Sequence, residues 1–209
     1  MERGPEEFDH STMSDETDSN RGGLRSSIKL IIWDLDETLW SGILSEEEVY
    51  LDASRRDLIR QLNLRGIMNS ICSKNDFEKV KERLTLEEGL WDQFVFPKIS
   101  WHPKGPQIAQ IIDEAQLRSE QVLFIDDNIG NLEEAKYFLP DLQIGGPSII
   151  DDLLVLPQLV GREDPQLERL SQYKLLEQKA INRQNISGSN EDFLRSCNIK
   201  VLVGEDCLL

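Results

Sequence analysis

Hydrophobic residues in this chain gather into short runs separated by longer amphipathic stretches. Residues 28–33 form a continuous apolar run with β-branched Ile and no charge after Lys29, the composition of a strand buried on both faces. A second clear strand signal covers 121–125, apolar from Val122, shorter ones cover 67–72 and 94–97, and a weak one covers 142–144. Between them lie helix-period segments. Residues 54–64 place Leu58, Ile59 and Leu62 on one side, with Ser54 as the expected N-cap and Gly66 as the stop. Residues 76–84, 103–115 and 132–138 follow, with Ile108, Ile111 and Ile112 facing inward in the second of these and Pro140 ending the third. This alternation predicts an α/β fold, a parallel sheet with helices on both faces.

The ends of the chain read differently. Residues 1–27 are rich in Glu, Asp, Ser and Gly and poor in large apolar residues, so they are expected to be a disordered leader. Part of it is expected to be vector-derived, with Met13 as a candidate natural start. The catalytic domain is expected over 28–160 and a helical extension over 161–209. In the extension, residues 165–183 form a charged helix with Leu167, Leu170, Tyr173 and Leu176 along one stripe. Beyond a polar linker at 185–190, a short helix at 191–197 and a strand at 199–203 read as the start of a truncated following region.

Charge narrows the function classes. The 209 residues carry a formal net charge of −16, which argues against a general nucleic-acid surface. No apolar stretch approaches the roughly 20 residues a membrane span needs. Three cysteines, Cys72, Cys197 and Cys207, fit neither a zinc spacing nor a disulfide framework, so a cytoplasmic setting is expected.

The candidate chemistry lies at the strand ends. Asp34, Asp36 and Thr38 directly follow the first strand, and Asp126, Asp127 and Asn128 directly follow the strand at 121–125. Ligand crevices of open parallel sheets lie at the carboxyl ends of strands. Period-two alternation puts Asp34 and Asp36 on one side while the chain stays extended. Converging carboxylates repel unless a cation or a proton separates them, and Mg²⁺ suits hard oxygen ligands beside a phosphate. Lys74 and Lys104 are candidate phosphate-binding cations, the latter at a helix start. Each feature also has an ordinary structural reading as a turn, cap or solvated lysine.

Together these segments resemble the haloacid dehalogenase (HAD) superfamily of phosphatases. Asp34-Leu-Asp36-Glu-Thr38 matches its first motif, Ser73 its second, Lys104 its third and Asp126-Asp127 its fourth. The resemblance implies that Asp34 is a nucleophile forming an aspartyl phosphate and Asp36 a general acid and base. It implies Mg²⁺ held by Asp34, the Asp36 backbone carbonyl, Asp126 and Asp127. Thr38, Ser73, Lys74, Asn75 and Lys104 are then the residues around substrate phosphate. Too few residues separate Thr38 from the first helix for a cap domain, so a small hairpin flap and an open site are expected.

A narrower resemblance is to the FkbH-like family, carried by Asp36 to Gly42, by Arg65 to Asn75 with its Cys-Ser-Lys-Asn, by Trp101 with Lys104, and by Phe124 to Asn128. It implies a glyceryl transferase that dephosphorylates 1,3-bisphosphoglycerate and loads the three-carbon unit onto an acyl carrier protein in polyketide biosynthesis. Cys72 would carry the acyl group as a thioester. A small Cys at a strand end is equally an ordinary packing residue, and in a regular strand Cys72 and Ser73 point to opposite faces. After Asp-Asp-Asn the family has Pro and then Glu where this chain has Ile129, Gly130 and Asn131. An acidic carrier would need a basic patch, for which Arg55, Arg56, Arg60 and Arg65 are candidates. A plain phosphatase and a non-catalytic docking domain are the rival readings.

Overall fold

A computed structural model of the chain describes residues 24–46 and 48–185. Five strands, β1 (Leu30–Trp33), β2 (Met68–Ser73), β3 (Lys98–Ile99), β4 (Val122–Ile125) and β5 (Gln143–Gly145), form one sheet in the order β3-β2-β1-β4-β5. Every pairing is parallel. Helices α1 (Ala53–Leu64), α2 (Phe77–Leu86), α3 (Lys104–Glu114), α4 (Ile129–Phe138) and α5 (Glu168–Asn185) connect or follow the strands.

The pleat sorts the strand residues between two cores. Ile31, Trp33, Ile71, Leu123 and Ile125 pack with Leu58, Ile59 and Leu62 of α1 and Val80 and Leu84 of α2. Leu30, Ile32, Met68, Cys72, Val122 and Phe124 pack with Ile108, Ile111 and Ile112 of α3, Leu132 and Ala135 of α4, and Leu170 of α5. Both faces are therefore covered, which explains why β1 and β4 read as unbroken apolar runs. Because α5 joins the second core, the helical extension packs on the α/β domain. Leu167, Tyr173 and Leu176 lie against the same core.

Several boundaries differ from the sequence expectation. Phe94 makes only an isolated bridge to Asn69, and the ladder resumes at Lys98 rather than running over 94–97. Phe96 has a left-handed backbone (φ 51°) and Pro97 has no N–H, so neither fits a continuous ladder. Asp52, not Ser54, caps α1: its carboxylate accepts from the Ser54 N–H at 2.7 Å. Helix α4 begins at 129 rather than 132, because the Asn128 side chain accepts from the Gly130 N–H at 2.8 Å. Helix α5 begins at 168, its first turn held by Asp164, whose carboxylate accepts from the N–H groups of Glu168 and Arg169. Described packing starts at Leu24, upstream of the expected start at 28: its carbonyl accepts from Gln158, and the Arg25 N–H donates to Gln143. The expected helix at 191–197 and strand at 199–203 lie outside the described residues. No helix among those described is long and apolar enough to cross a membrane.

Candidate active site

Strands β1, β2 and β4 end almost level, with Trp33 paired to both Ile71 and Ile125. The next residues on β1 and β4 are Asp34 and Asp126. By alternation both continue the face that carries Ile32 and Phe124, the face covered by α3. Helix α3 starts at Lys104, and its ammonium lies between the two carboxylates, 2.7 Å from Asp34 Oδ1 and 2.6 Å from Asp126 Oδ2. Lys104 is 1% exposed and Asp126 fully buried. The helix N-terminus that a lysine would oppose is satisfied instead by Glu134 of α4, which accepts from the Gly105 N–H at 2.9 Å. Phe138 of the same helix packs so closely that a Cβ on Gly105 would come within 2.4 Å of its ring.

Burial opposes the Lys104 charge, but Asp34 and Asp126 together outweigh it and hold its pKa above the ordinary value. Burial is also the largest influence on Asp34 and raises its pKa; Lys104 offsets part of this and Asp126 adds to it. The two directions agree physically, since one ammonium is shared between two buried anions. Asp127, which is exposed, is raised by desolvation and by its neighbour Asp126.

Oxygen atoms of Asp34, Asp126 and Asp127 all lie within 4.8 Å of one another. Three carboxylates thus face one ammonium, an excess of two negative charges. An all-oxygen donor set with that excess fits a hard divalent cation such as Mg²⁺.

Asp36 stands apart from this set. Strand alternation places its side chain beside Asp34 only in an extended chain, and here the chain turns at once. The Leu35 carbonyl accepts from the N–H groups of Thr38, Leu39 and Trp40, and Glu37 is left-handed (φ 53°). The Asp36 carboxylate is bound to Trp40, Leu44 and Asn75 rather than to the acid cluster. Thr38 joins the two acidic segments, its hydroxyl accepting from the Asp127 N–H at 3.0 Å.

The segment after β2 contributes unevenly. Lys74 donates to Asn131 Oδ1 at 3.1 Å, and Asn131 donates to both oxygens of Asp126 at 3.1 Å. Asn131 was not anticipated; it reaches Asp126 because α4 starts early. Ser73 ends β2, 1% exposed. Cys72 lies on the opposite face, fully buried in the α3 core, its thiol 3.9 Å from the Lys104 carbonyl. Burial pushes the Cys72 thiol up to about 12.

Among the described residues no domain is inserted between β1 and α1; Ser41 and Tyr50 exchange backbone hydrogen bonds of 3.0 Å, and the Leu44 N–H reaches Asp36. The arginines of α1 and Arg65 at its C-terminal end are engaged within the fold. Arg55 pairs with Asp151, Arg56 with Glu87, and Arg60 with Asp57 and Glu88, while Arg65 donates to the Leu154 carbonyl.

No family model matches the sequence, and no curated protein matches it significantly. Solved structures do match. The N-terminal part of a Bacteroides fragilis protein, containing a phosphatase domain and complexed with Mg, superposes with a TM-score of 0.54 at 23% identity over 66% of this chain. This chain spans 41% of that protein chain's length. A HAD-superfamily hydrolase from Ehrlichia chaffeensis superposes with a TM-score of 0.51 at 12% identity, over 66% of this chain and 100% of its own. The chain has the parallel α/β fold of these HAD-like structures. Within that fold, Asp34, Ser73, Lys104 and Asp126 stand at or next to the carboxyl ends of β1, β2 and β4 and at the start of α3.

Proposed function

We propose that this chain is a magnesium-dependent HAD-type phosphatase with Asp34 as nucleophile. The observation that carries the reading is the buried Asp34–Lys104–Asp126 cluster with Asp127 beside it, a charge arrangement that is incomplete without a cation. Mg²⁺ held by Asp34, Asp126 and Asp127 would neutralise charge on a phosphoryl group entering the site. The rest of the chemistry belongs to the chain. Lys104 holds one Asp34 oxygen, which leaves the other to attack phosphorus. As the Asp34 O–P bond forms and the ester P–O bond breaks, Asp36 gives its proton to the leaving oxygen. Asp36 then takes a proton from water as that water attacks phosphorus, releasing phosphate and restoring Asp34. Lys74, tied through Asn131 to Asp126, and Ser73, at the end of β2, are phosphate-binding candidates. The test is phosphate release from a panel of phosphomonoesters with Mg²⁺ or with chelator, plus acid-quenched peptide mass spectrometry. Metal-independent turnover, or a phosphoryl adduct elsewhere than on the Asp34 peptide, would refute the reading.

The finer reading, glyceryl transfer from 1,3-bisphosphoglycerate through Cys72 to an acyl carrier protein, rests on the FkbH-like sequence resemblance. It needs a reachable thiolate, whereas the Cys72 thiol is buried and hard to ionise. It also needs a surface for an acidic carrier, and the α1 arginines already have partners. Hydrolysis without acyl transfer is therefore the reading we favour. Incubation with 1,3-bisphosphoglycerate and a carrier protein separates the two, since only transfer leaves a glyceryl mass on Cys72 and then on the carrier.

A further inference from the structure

Asp36 is a half-buried carboxylate with three protein donors on its two oxygens. Oδ1 accepts from the Trp40 indole N–H at 2.8 Å and from the Leu44 N–H at 3.2 Å; Oδ2 accepts from the Asn75 amide at 2.9 Å. The donors come from three segments: the turn after β1, the loop 41–50, and the stretch just past β2. Two of the donor side chains are themselves fixed. Trp40 and Asn75 are each 3% exposed, and Trp40 is packed in the core beneath the sheet's α1 face. A partly exposed carboxylate needs no such partners for solvation, because water would serve. Three donors from three segments, two of them on buried side chains, instead restrict both of its torsions.

We propose that Asn75 and Trp40 are positioning residues for Asp36, holding its carboxyl group where it meets the leaving oxygen of a phosphomonoester. This rests on the reading of Asp36 as general acid given above. Proton transfer needs the acid within hydrogen-bond reach of the oxygen as the P–O bond breaks, and small misplacements of a reacting group are costly. Neither residue touches substrate in this scheme; each acts through Asp36. Asn75 also follows Ser73 and Lys74 directly, so one segment both borders the phosphate and sets the acid.

The test measures kcat/KM for the full-length protein and its Asn75→Ala and Trp40→Phe variants on a series of phosphomonoesters. The series runs from p-nitrophenyl phosphate, whose leaving group departs without a proton, to alkyl phosphates, whose leaving group requires one. This parameter reports the first step, in which Asp36 is the acid. Each variant is expected to lose roughly 100-fold on alkyl phosphates and less than about 10-fold on p-nitrophenyl phosphate, so that the dependence on leaving-group pKa steepens. The steepening is a ratio within one sample, so a fall in the folded fraction does not create it. Equal losses on every substrate, or none, would overturn the positioning role while leaving the phosphatase reading standing. A wild-type protein with no Mg²⁺-dependent turnover would overturn both.

Discussion

Two polar clusters are buried on opposite faces of the same sheet, and they are built on opposite plans. On the α1 face, Asn69 accepts from the Trp33 indole at 2.9 Å and donates to Asn63 at 3.0 Å and to the Ile59 carbonyl at 3.2 Å. Asn63 in turn donates to the Gln93 carbonyl and side chain. Each group is neutral, and donors and acceptors match. On the α3 face, Lys104 is shared between Asp34 and Asp126 with Asp127 nearby, and charge does not balance. Burial of polar groups is costly in both places. A balanced neutral network repays that cost by fixing one packing arrangement. An unbalanced charged one is a poor stabiliser, because anions sharing one cation remain under-compensated. On the function proposed above, the imbalance is what separates a reaction site from a structural network.

The largest test of that contrast is Asp34→Asn. Phosphate release is expected to fall by at least about 10⁴-fold, as for loss of a nucleophile. Thermal stability with chelator present should be unchanged or higher, since one of the competing anions is gone. The pH dependence should also change. A raised Asp34 pKa means that the native state disfavours its ionised form, so this contribution to stability is complete below the ordinary value of 3.8 and is lost as pH rises through the folded value. Melting curves against pH in chelator should show this downward slope in wild type and lack it in Asp34→Asn. A variant that melts well below wild type would show that the acid cluster is structural after all.

Lys104→Met tests the same cluster from the other side. Removing the only cation buried among the described residues leaves Asp34 and Asp126 facing each other, and metal-free stability should drop by roughly 3–5 kcal/mol. Mg²⁺ should restore more stability to this variant than to wild type, read as a larger metal-dependent rise in melting temperature. Activity should fall roughly 100- to 1,000-fold, because the group that holds one Asp34 oxygen and orients its carboxylate has gone.

Much of this contrast could be read before the structure, and the unread part has a definite cause. Strands β1 and β4 are buried on both faces, so composition alone marked them, and Asp34 and Asp126 are simply the residues that follow. Lys104 was legible as the basic residue at a helix start. The partners that orient these groups were not. Trp40 reaches Asp36 only because Glu37 adopts a left-handed turn, which no glycine announces. Asn131 reaches Asp126 only because Asn128 caps α4 one turn earlier than apolar periodicity suggests. The Asn63–Asn69 network was invisible for a related reason: two polar residues in apolar runs read as interruptions until their cross-element partners are known. Local composition encodes strands and their ends; turn and cap geometry decides which side chains meet.

Asn69→Leu is the stability counterpart to the site variants. It keeps the γ-branched shape but strands the Trp33 N–H and the Asn63 side-chain oxygen in an apolar setting, for an expected cost of about 3 kcal/mol. Chemical denaturation should show the loss while kcat below the new melting temperature stays within about threefold of wild type, as for a surplus stability change away from reacting atoms. Because Trp33 directly precedes Asp34, a much larger fall in kcat would mean that the neutral network holds the nucleophile, and the two clusters would have to be treated as one.

Cys72→Ala is expected to have the smallest effect, and it decides what kind of site this is. The thiol lies on the acid-cluster face yet packs among Leu30, Ile32, Phe124 and Ile108. Its folded pKa of about 12 stands above the ordinary 9.0, so the neutral form is the one the core accepts. The corresponding stability is complete below pH 9.0 and declines as pH rises toward 12. Truncation should cost about 1 kcal/mol and leave phosphate release intact. In the folded protein Cys72 should resist alkylation at neutral pH, followed by peptide mass spectrometry so that it is resolved from Cys197 and Cys207, and it should react only on unfolding. Rapid labelling of native Cys72, or abolished turnover in Cys72→Ala, would move it from the packing around the charged cluster into the chemistry, and would return acyl transfer to the front.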